Sequence, residues 1–375
     1  MENDERFTQT DGRTRRRFLA ATGATALAGG LAGCSGGGGE SGGSGSGSGD
    51  AGGSDTGTSG GSASGSFEAQ ATVTHWPILL YAPPYQAALD QGYFAEEGID
   101  ISKFVGSSGG GTTVRNVVTG GLPFGEVSTP AAVNAYYAGA PLTIIAGATN
   151  SPGTINWVTT KDSDVSDITD LAGKTVGFTS AGSVTQNTSA LAVKRADGIS
   201  VDDVEFKAMG GLSEGLTALG EGSIAAAANL DPIFSKQQLE DKWDVVFWAK
   251  EYIGTFQQTC VIAGPDILKE KPDVVKGYLR ARAKGVEFIR DNPEQAAEIF
   301  ASYNDGYSKD VMRSSLKNVE PENYYVKDQF DLDGLRLIEE GMKNIDLIDR
   351  NVEWSKIIDQ SFLPEDVRVD LSKLA

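Results

Sequence analysis

Short apolar runs alternate with amphipathic runs between residues 67 and 263, and this alternation predicts strand–helix units. Beyond residue 265 the apolar spacing becomes helical throughout. The pattern therefore predicts an α/β fold, built on mainly parallel sheets flanked by helices, with a helical C-terminal part and a ligand crevice beyond the strand C-termini. Predicted strands lie at 71–75, 99–105, 124–127, 142–148, 154–160, up to 178, 204–208, 223–228, 243–249 and 255–263. Predicted helices lie at 81–91, 212–219, 273–290, 293–303 and 328–344, with a weaker helical segment near 309–319.

Residues 106–142 carry two hydroxyl-bearing loops, each placed just before a predicted helix. Ser107 and Ser108 lie in a glycine cluster, and Ser128 and Thr129 precede Pro130 at the next helix start. A helix start offers free N–H groups and a positive dipole end to a polar or anionic ligand. The same hydroxyls also suit simple helix caps, so both interpretations stay open.

The same arrangement recurs later in the chain. Residues 179–185 read TSAGSVT and open another predicted helix, which places Ser180, Ser183 and Thr185 at its start. Asp231 follows a small-residue strand and precedes Pro232. Its carboxylate either faces the crevice, where it would favour an amine on the ligand, or caps the helix after Pro232.

The N-terminal segment reads as an export signal and a tether. Residues 1–33 combine the twin arginines Arg15 and Arg16 with a short Ala/Gly/Leu run, too short for a membrane-spanning helix. Leu-Ala-Gly-Cys at residues 31–34 matches a lipobox, which predicts lipidation of Cys34. The following Gly/Ser-rich stretch to residue 66 predicts a flexible linker with a reach of roughly 30 Å. We expect twin-arginine export and a lipid anchor on the outer face of the cytoplasmic membrane.

Composition narrows the function classes. Among 375 residues, 51 acidic and 32 basic side chains give a formal charge of −19, which argues against nucleic-acid binding. One histidine and two cysteines exclude a multi-histidine or thiolate metal site and a disulfide framework, and no cofactor is expected.

Several motifs fall in order along the chain: the run from Tyr85 to Ile99, Ser107-Ser108-Gly109, Ala138-Gly139-Ala140-Pro141-Leu142, Asp170 to Gly177, and Lys271-Pro272-Asp273. Taken together, they resemble the motifs of periplasmic substrate-binding proteins of the nitrate/sulfonate/taurine, or SsuA/THI5-like, class, and the resemblance covers about residues 72–345. The resemblance implies a two-lobed, type II periplasmic-binding-protein fold that delivers a small molecule to an ABC permease in the same membrane. It implies a substrate-binding domain at 67–375, with lobe 1 at about 67–155 and 260–375 and lobe 2 at about 156–259, the chain crossing near 151–160 and 256–264.

In a two-lobed binding protein both lobes supply ligand contacts, so we expect the site at the facing loops. The glycine and hydroxyl loops hold no lysine or arginine, which favours a small polar organic ligand over a bare oxyanion. A sulfonate, a taurine-like zwitterion and a thiamine-precursor pyrimidine all remain open. The expected contacts are Trp76, Pro77, Ser107, Ser108, Ser128 and Thr129 from lobe 1, and Ser180, Ser183, Thr185 and Asp231 from lobe 2.

An enzyme on the same fold is the main alternative. Relatives in the THI5 branch are synthases that use pyridoxal phosphate, a histidine and a cysteine-rich iron motif, and His75 keeps this hypothesis open. The sequence has no cysteine cluster and carries an export signal, which favours a binding protein without enzymatic activity. A ligand sensor on the same fold is a third hypothesis.

Overall fold

Two five-stranded sheets organise residues 66–374, the part of the chain that the computed structural model describes. The predicted signal segment, the lipidation site Cys34 and linker residues up to 65 lie outside the described residues. Within that part, no helix has the length and apolarity that crossing a membrane requires.

The elements alternate strand and helix up to β10 and are helical afterwards. The strands are β1 (Phe67–Thr74), β2 (Ile99–Ser107), β3 (Phe124–Ser128), β4 (Thr143–Thr149), β5 (Ile155–Thr159), β6 (Thr175–Phe178), β7 (Glu205–Ala208), β8 (Ala226–Leu230), β9 (Asp244–Trp248) and β10 (Thr259–Ala263). The helices are α1 (Pro83–Asp90), α2 (Tyr93–Glu96), α3 (Gly110–Val118), α4 (Thr129–Tyr137), α5 (Val184–Arg195), α6 (Leu212–Gly220), α7 (Ile233–Leu239), α8 (Ala249–Tyr252), α9 (Pro265–Glu270), α10 (Pro272–Asp291), α11 (Pro293–Ser302), α12 (Lys309–Val319), α13 (Pro321–Tyr324), α14 (Leu332–Asn344) and α15 (Trp354–Ile357). Short 3₁₀ turns occupy Ile168–Leu171, Val201–Asp203, Glu365–Val367 and Leu371–Leu374.

Each sheet has four strands in one direction and a single strand in the other. The first sheet has the order β2-β1-β3-β10-β4, and β10 is antiparallel to both of its neighbours. The second has the order β7-β6-β8-β5-β9, and β5 is antiparallel to both of its neighbours. These two reversed strands are the first elements after the chain changes sheet, through residues 150–154 and 249–258. The predicted two-lobed α/β fold is confirmed.

Several predicted boundaries shift for local reasons. The helix predicted at 81–91 begins at Pro83 because the preceding residues form turns after β1. The strand predicted at 223–228 lies at Ala226–Leu230, after a turn in which Gly222 has a φ of +71°. The last long helix begins at Leu332, where the Asp331 carboxylate accepts a hydrogen bond from the Gly334 N–H at 2.7 Å.

A charged cluster is buried under the first sheet. The carboxylate of Glu126 accepts from the Tyr85 hydroxyl at 2.7 Å and from the Thr259 hydroxyl at 2.9 Å. Arg282 approaches the same carboxylate at 3.4 Å and lies 3.9 Å from Asp328. Glu126 and Arg282 are fully buried. The hydrogen bonds and the opposite charge of the partner compensate for the hydration that both charged groups lose on burial.

The C-terminal helices pack on the second lobe as well as on the first. In α14, Glu340 pairs with Lys194 and Arg195 of α5 at 3.2 and 3.1 Å. In α12, the Asn318 amide donates to the Asp231 carboxylate at 3.1 Å. The C-terminal helices therefore contact both lobes.

Candidate functional site: a hydroxyl-lined cleft between the lobes

A cleft of about 80 Å³ lies between the two sheets, at the C-terminal ends of the parallel strands. Loops from both lobes line it, together with the first turns of α3, α5 and α6. Its lining residues are Thr74, His75, Leu79, Tyr81, Ser108, Gly109, Gly110, Gly111, Ser128, Ala131, Thr179, Ser180, Ala181, Gly182, Ser183, Val184, Thr185, Gly210, Leu212 and Leu230.

The first lobe contributes hydroxyls and an uncapped helix start. The α3 helix begins after Gly109, with no side chain capping its first N–H groups. Ser108 is exposed at the same loop. Ser128 precedes α4, yet its hydroxyl makes no capping hydrogen bond and lines the cleft instead. Hydrogen-bond donors on this wall are therefore available to a ligand.

The second lobe contributes a connected chain of hydroxyls. Ser183 caps α5, its hydroxyl accepting from the Gln186 N–H at 3.2 Å. The same hydroxyl lies 2.9 Å from that of Thr185, which lies 2.8 Å from that of Thr179. Ser180 is exposed beside them. Ser183 both caps α5 and lines the cleft, because the N-terminal end of α5 faces the cleft.

Tyr81 connects the cleft to the segments that join the lobes. Its buried hydroxyl accepts a hydrogen bond from the side-chain amide of Gln258 at 2.7 Å. That amide also lies 3.4 Å from the hydroxyl of Thr154. Residues 154 and 258 belong to the two crossing segments, so the tyrosine is held at the hinge.

Among the lining residues, only His75 and Tyr81 titrate; no lysine, arginine, aspartate or glutamate is among them. Burial lowers the pKa of His75 and raises the pKa of Tyr81 well above its ordinary value. Both groups are therefore uncharged near neutral pH. The cleft attracts a ligand through N–H groups, hydroxyls and helix dipoles, without a fixed ionic charge of its own.

Of the ten residues expected at the site, five line the cleft: Ser108, Ser128, Ser180, Ser183 and Thr185. The other five lie elsewhere.

Trp76 and Pro77 turn away from the cleft. His75 has a φ of +56°, and this left-handed conformation reverses the chain directly after β1. Trp76 then stacks on Phe104 with ring centroids 4.7 Å apart. The Pro77 carbonyl accepts from Gln86 and Asn304, both at 3.1 Å. Trp76 was expected to contact the ligand, but its ring packs between Phe104 of β2 and Tyr303.

Ser107, Thr129 and Asp231 also point into the protein. The Ser107 hydroxyl lies 2.6 Å from that of Thr113, and the Thr129 hydroxyl is buried without a partner in the described residues. The Asp231 carboxylate accepts from the Ser235 hydroxyl at 2.6 Å and its N–H at 3.1 Å. Burial raises the pKa of Asp231. Of its two possible roles, helix capping is the one that the structure contains.

Four other polar lining residues were not among the expected ligand contacts, although His75 was considered for the enzyme alternative. Thr74 ends the first strand and His75 follows it, at the strand end where the ligand crevice was expected, but Trp76 and Pro77 were chosen there instead. Thr179 opens the hydroxyl loop of the second lobe, three residues before Gly182. Tyr81 carried no signal, because its place depends on contacts with residues about 180 positions away.

Comparison with known proteins identifies the family. The family model described as NMT1/THI5 like matches residues 81–296, more than half of the chain. The chain belongs to the NMT1/THI5-like family. No curated protein sequence gives a match.

Solved structures share the fold of this NMT1/THI5-like chain at low identity. The aliphatic sulphonate binding protein SsuA from Escherichia coli aligns with a TM-score of 0.65 and 18% identity, over 78% of this chain and 92% of its own. SsuA from Xanthomonas axonopodis pv. citri, bound to MOPS, gives 0.66 and 16%, over 78% and 99%. The desulfurization enzyme DSZB gives 0.56 and 16%, over 79% and 97%. At such identities the likeness establishes the fold.

Proposed function

We propose that this protein is an extracytoplasmic solute-binding lipoprotein that captures a small sulfonate between its lobes and delivers it to an ABC permease. The observation that carries the proposal is the cleft itself. Hydroxyls from two lobes and the starts of α3 and α5 converge there, without a fixed charge among the lining residues.

The donor chemistry suits a tetrahedral oxyanion. A sulfonate presents three oxygens that only accept hydrogen bonds. Uncapped N–H groups and rotatable hydroxyls can serve such oxygens from several directions. Hydrogen bonds to a charged acceptor are stronger than neutral ones, and helix dipoles favour the negative charge. The SsuA structures from two organisms are those of sulfonate-binding proteins, and this supports the assignment.

The volume of the cleft favours a small ligand. At about 10–15 Å³ for each water-sized position, 80 Å³ accommodates roughly five to eight such positions. A short alkanesulfonate such as ethanesulfonate fits this limit, whereas a substituted aminopyrimidine of the thiamine pathway is larger.

Charge separates ethanesulfonate from taurine. Taurine carries an ammonium group, which loses its hydration when enclosed and needs a carboxylate in exchange. The candidate carboxylate, Asp231, is turned toward Ser235 and Asn318, outside the cleft. We therefore expect the sulfonate with an uncharged tail to bind more tightly than the zwitterion.

A thermal-shift panel tests the proposal with the full chain against ethanesulfonate, taurine, nitrate and the aminopyrimidine. Ligands that bind the folded state alone raise the melting temperature with concentration. Ethanesulfonate should give the largest shift, taurine a smaller one, and the pyrimidine none. A rise in melting temperature with the pyrimidine, and none with ethanesulfonate or taurine, would overturn the proposed ligand class.

Export and anchoring form the second part of the proposal. They rest on Arg15, Arg16 and the lipobox at Cys34. Replacing both arginines by lysine should leave the protein in the cytoplasm, and Cys34→Ala should release exported protein from the membrane fraction. Normal export of the double-lysine variant, or membrane retention of the alanine variant, would contradict this part.

An enzyme on this fold is the second candidate, favoured by two observations. His75 lines the cleft, and DSZB, which shares the fold, is an enzyme. The candidate predicts that a bound sulfonate is consumed, whereas a binding protein releases it unchanged. Proton NMR of ethanesulfonate after long incubation with the protein separates the two outcomes.

A further inference from the structure

We propose that His75 supplies the missing positive charge of the cleft, by taking up one proton from solvent when an oxyanion binds, so that ligand capture depends on pH. The inference rests on the proposed function and adds a regulatory property to it. Three observations support it: the position of His75, its backbone and its surroundings.

The position is fixed by the backbone. The His75 N–H donates to the Ser107 carbonyl at 2.9 Å, and its own carbonyl accepts from the Ile78 N–H at 2.9 Å. These bonds hold a non-glycine residue at a φ of +56°, a conformation that is uncommon and concentrated at functional sites. The imidazole is thereby kept at the cleft, while Trp76 is directed away.

The surroundings leave His75 as the group able to gain a charge. In the cleft, the other titratable group is Tyr81, and next to Trp76 it is Tyr303; burial raises the pKa of both phenols, so they stay neutral. Behind β1, the buried Glu126 is paired with Arg282.

No carboxylate is among the cleft-lining residues. Glu214 folds back on Gly211 at the start of α6, and the charge of Asp90 acts on the phenol of Tyr303. Neither is among the lining residues, so an incoming anion would be the strongest charge facing the imidazole.

Binding then shifts the proton equilibrium. In the ligand-free protein, burial lowers the pKa of His75 below its ordinary value of about 6.5, so the ring is neutral at pH 7. An anion within about 4–6 Å favours the imidazolium and raises that pKa by about one to three units. Between the two pKa values, affinity should fall about tenfold for each unit of rising pH.

The single histidine makes the test direct, because the chain expressed without a histidine tag has one imidazole signal. We would titrate that signal by NMR in the full chain, with and without saturating ethanesulfonate. The inference predicts a pKa at least about one unit higher with ligand. Calorimetry near pH 7 in two buffers of different ionisation enthalpy should report uptake of up to one proton per ligand bound.

His75→Asn is the matched variant. Asparagine tolerates the left-handed conformation and keeps a hydrogen-bond donor, but it cannot be protonated. The variant should bind ethanesulfonate with an affinity that no longer varies with pH. A melting temperature close to that of the parent protein would show that the fold is intact.

The outcomes separate the two proposals. Binding of ethanesulfonate with an unchanged or lowered His75 pKa, and no proton uptake, would overturn the inference and leave the proposed function standing. Failure of ethanesulfonate to bind even at about pH 5.5, where the imidazolium is most populated, would overturn the proposed function and the inference with it.

Discussion

Ser128 distinguishes helix capping from ligand binding more cleanly than any other hydroxyl in the cleft. It occupies the N-cap position of α4, where a serine side chain commonly accepts a hydrogen bond from the first turn. Here it makes no such bond and lines the cleft. The sequence pattern identified the right residue, but it could not choose between the two roles, because both use the same residue type at the same place.

Ser128→Ala should therefore weaken ligand binding and leave stability nearly unchanged. A hydrogen bond to a charged acceptor contributes about 1.5–3 kcal/mol, so we expect the affinity for ethanesulfonate to fall roughly tenfold to a hundredfold. Calorimetry measures the affinity and urea unfolding the stability. A loss of more than about 1 kcal/mol of unfolding free energy, with unchanged affinity, would show that the hydroxyl is structural.

At the scale of elements, helix starts were the most predictable part of the site. The loops before α3, α4 and α5 carry glycine, serine and threonine, whose turn and capping preferences are local and thus visible in the sequence. The site predictions that failed concern residues whose side-chain direction depends on contacts with residues distant in the sequence. Trp76 meets Phe104 and Tyr303, and Asp231 meets Asn318, partners 28 to 227 positions away.

Ser183→Ala should affect both stability and binding, because this hydroxyl caps α5 and also lines the cleft. Loss of a serine cap costs about 1 kcal/mol. Ser308 provides a matched control, since it caps the similar helix α12 through the Val311 N–H and is not a cleft-lining residue.

Ser308→Ala should lower the free energy of unfolding by a similar amount while leaving the affinity for ethanesulfonate unchanged. Urea unfolding and calorimetry on both variants make the comparison. Equal affinity losses in the two variants would indicate that general loosening, rather than a lost ligand contact, weakens binding.

At the scale of the whole molecule, the alternation of strands and helices predicted mainly parallel sheets but not the single reversed strand in each. The reversed strands β5 and β10 have the same local apolar pattern as the other strands. Their direction could not be predicted from that pattern, because the direction of a strand depends on where the chain enters the sheet. Their crossing positions came from the family resemblance. The packing of α12 and α14 on the second lobe could likewise not be predicted from local sequence patterns, because it joins residues more than 80 positions apart.

The buried cluster under the first sheet should make the stability of the whole molecule depend on pH. Burial raises the pKa of Asp328 to about 8, against an ordinary value near 3.9. The native state then holds a proton that the unfolded chain releases, so the free energy of unfolding decreases as pH rises from about 4 to about 8.

Asp328→Asn should reduce this decrease by at least about 1 kcal/mol, because asparagine has no proton to lose. Urea unfolding at about pH 5 and about pH 9 measures the effect. Asp197→Asn, at an exposed site, removes the same formal charge and serves as the control. An identical pH dependence in all three proteins would contradict a role for Asp328.

A crystal structure of the protein with ethanesulfonate tests the central claim most directly. The account predicts the sulfonate in the cleft between the lobes, with oxygens within hydrogen-bond distance of the Ser128 hydroxyl, the first turn of α3 and the start of α5, and with its tail toward Leu212 and Leu230. A sulfonate bound outside this cleft, against lysine or arginine side chains, would contradict the account.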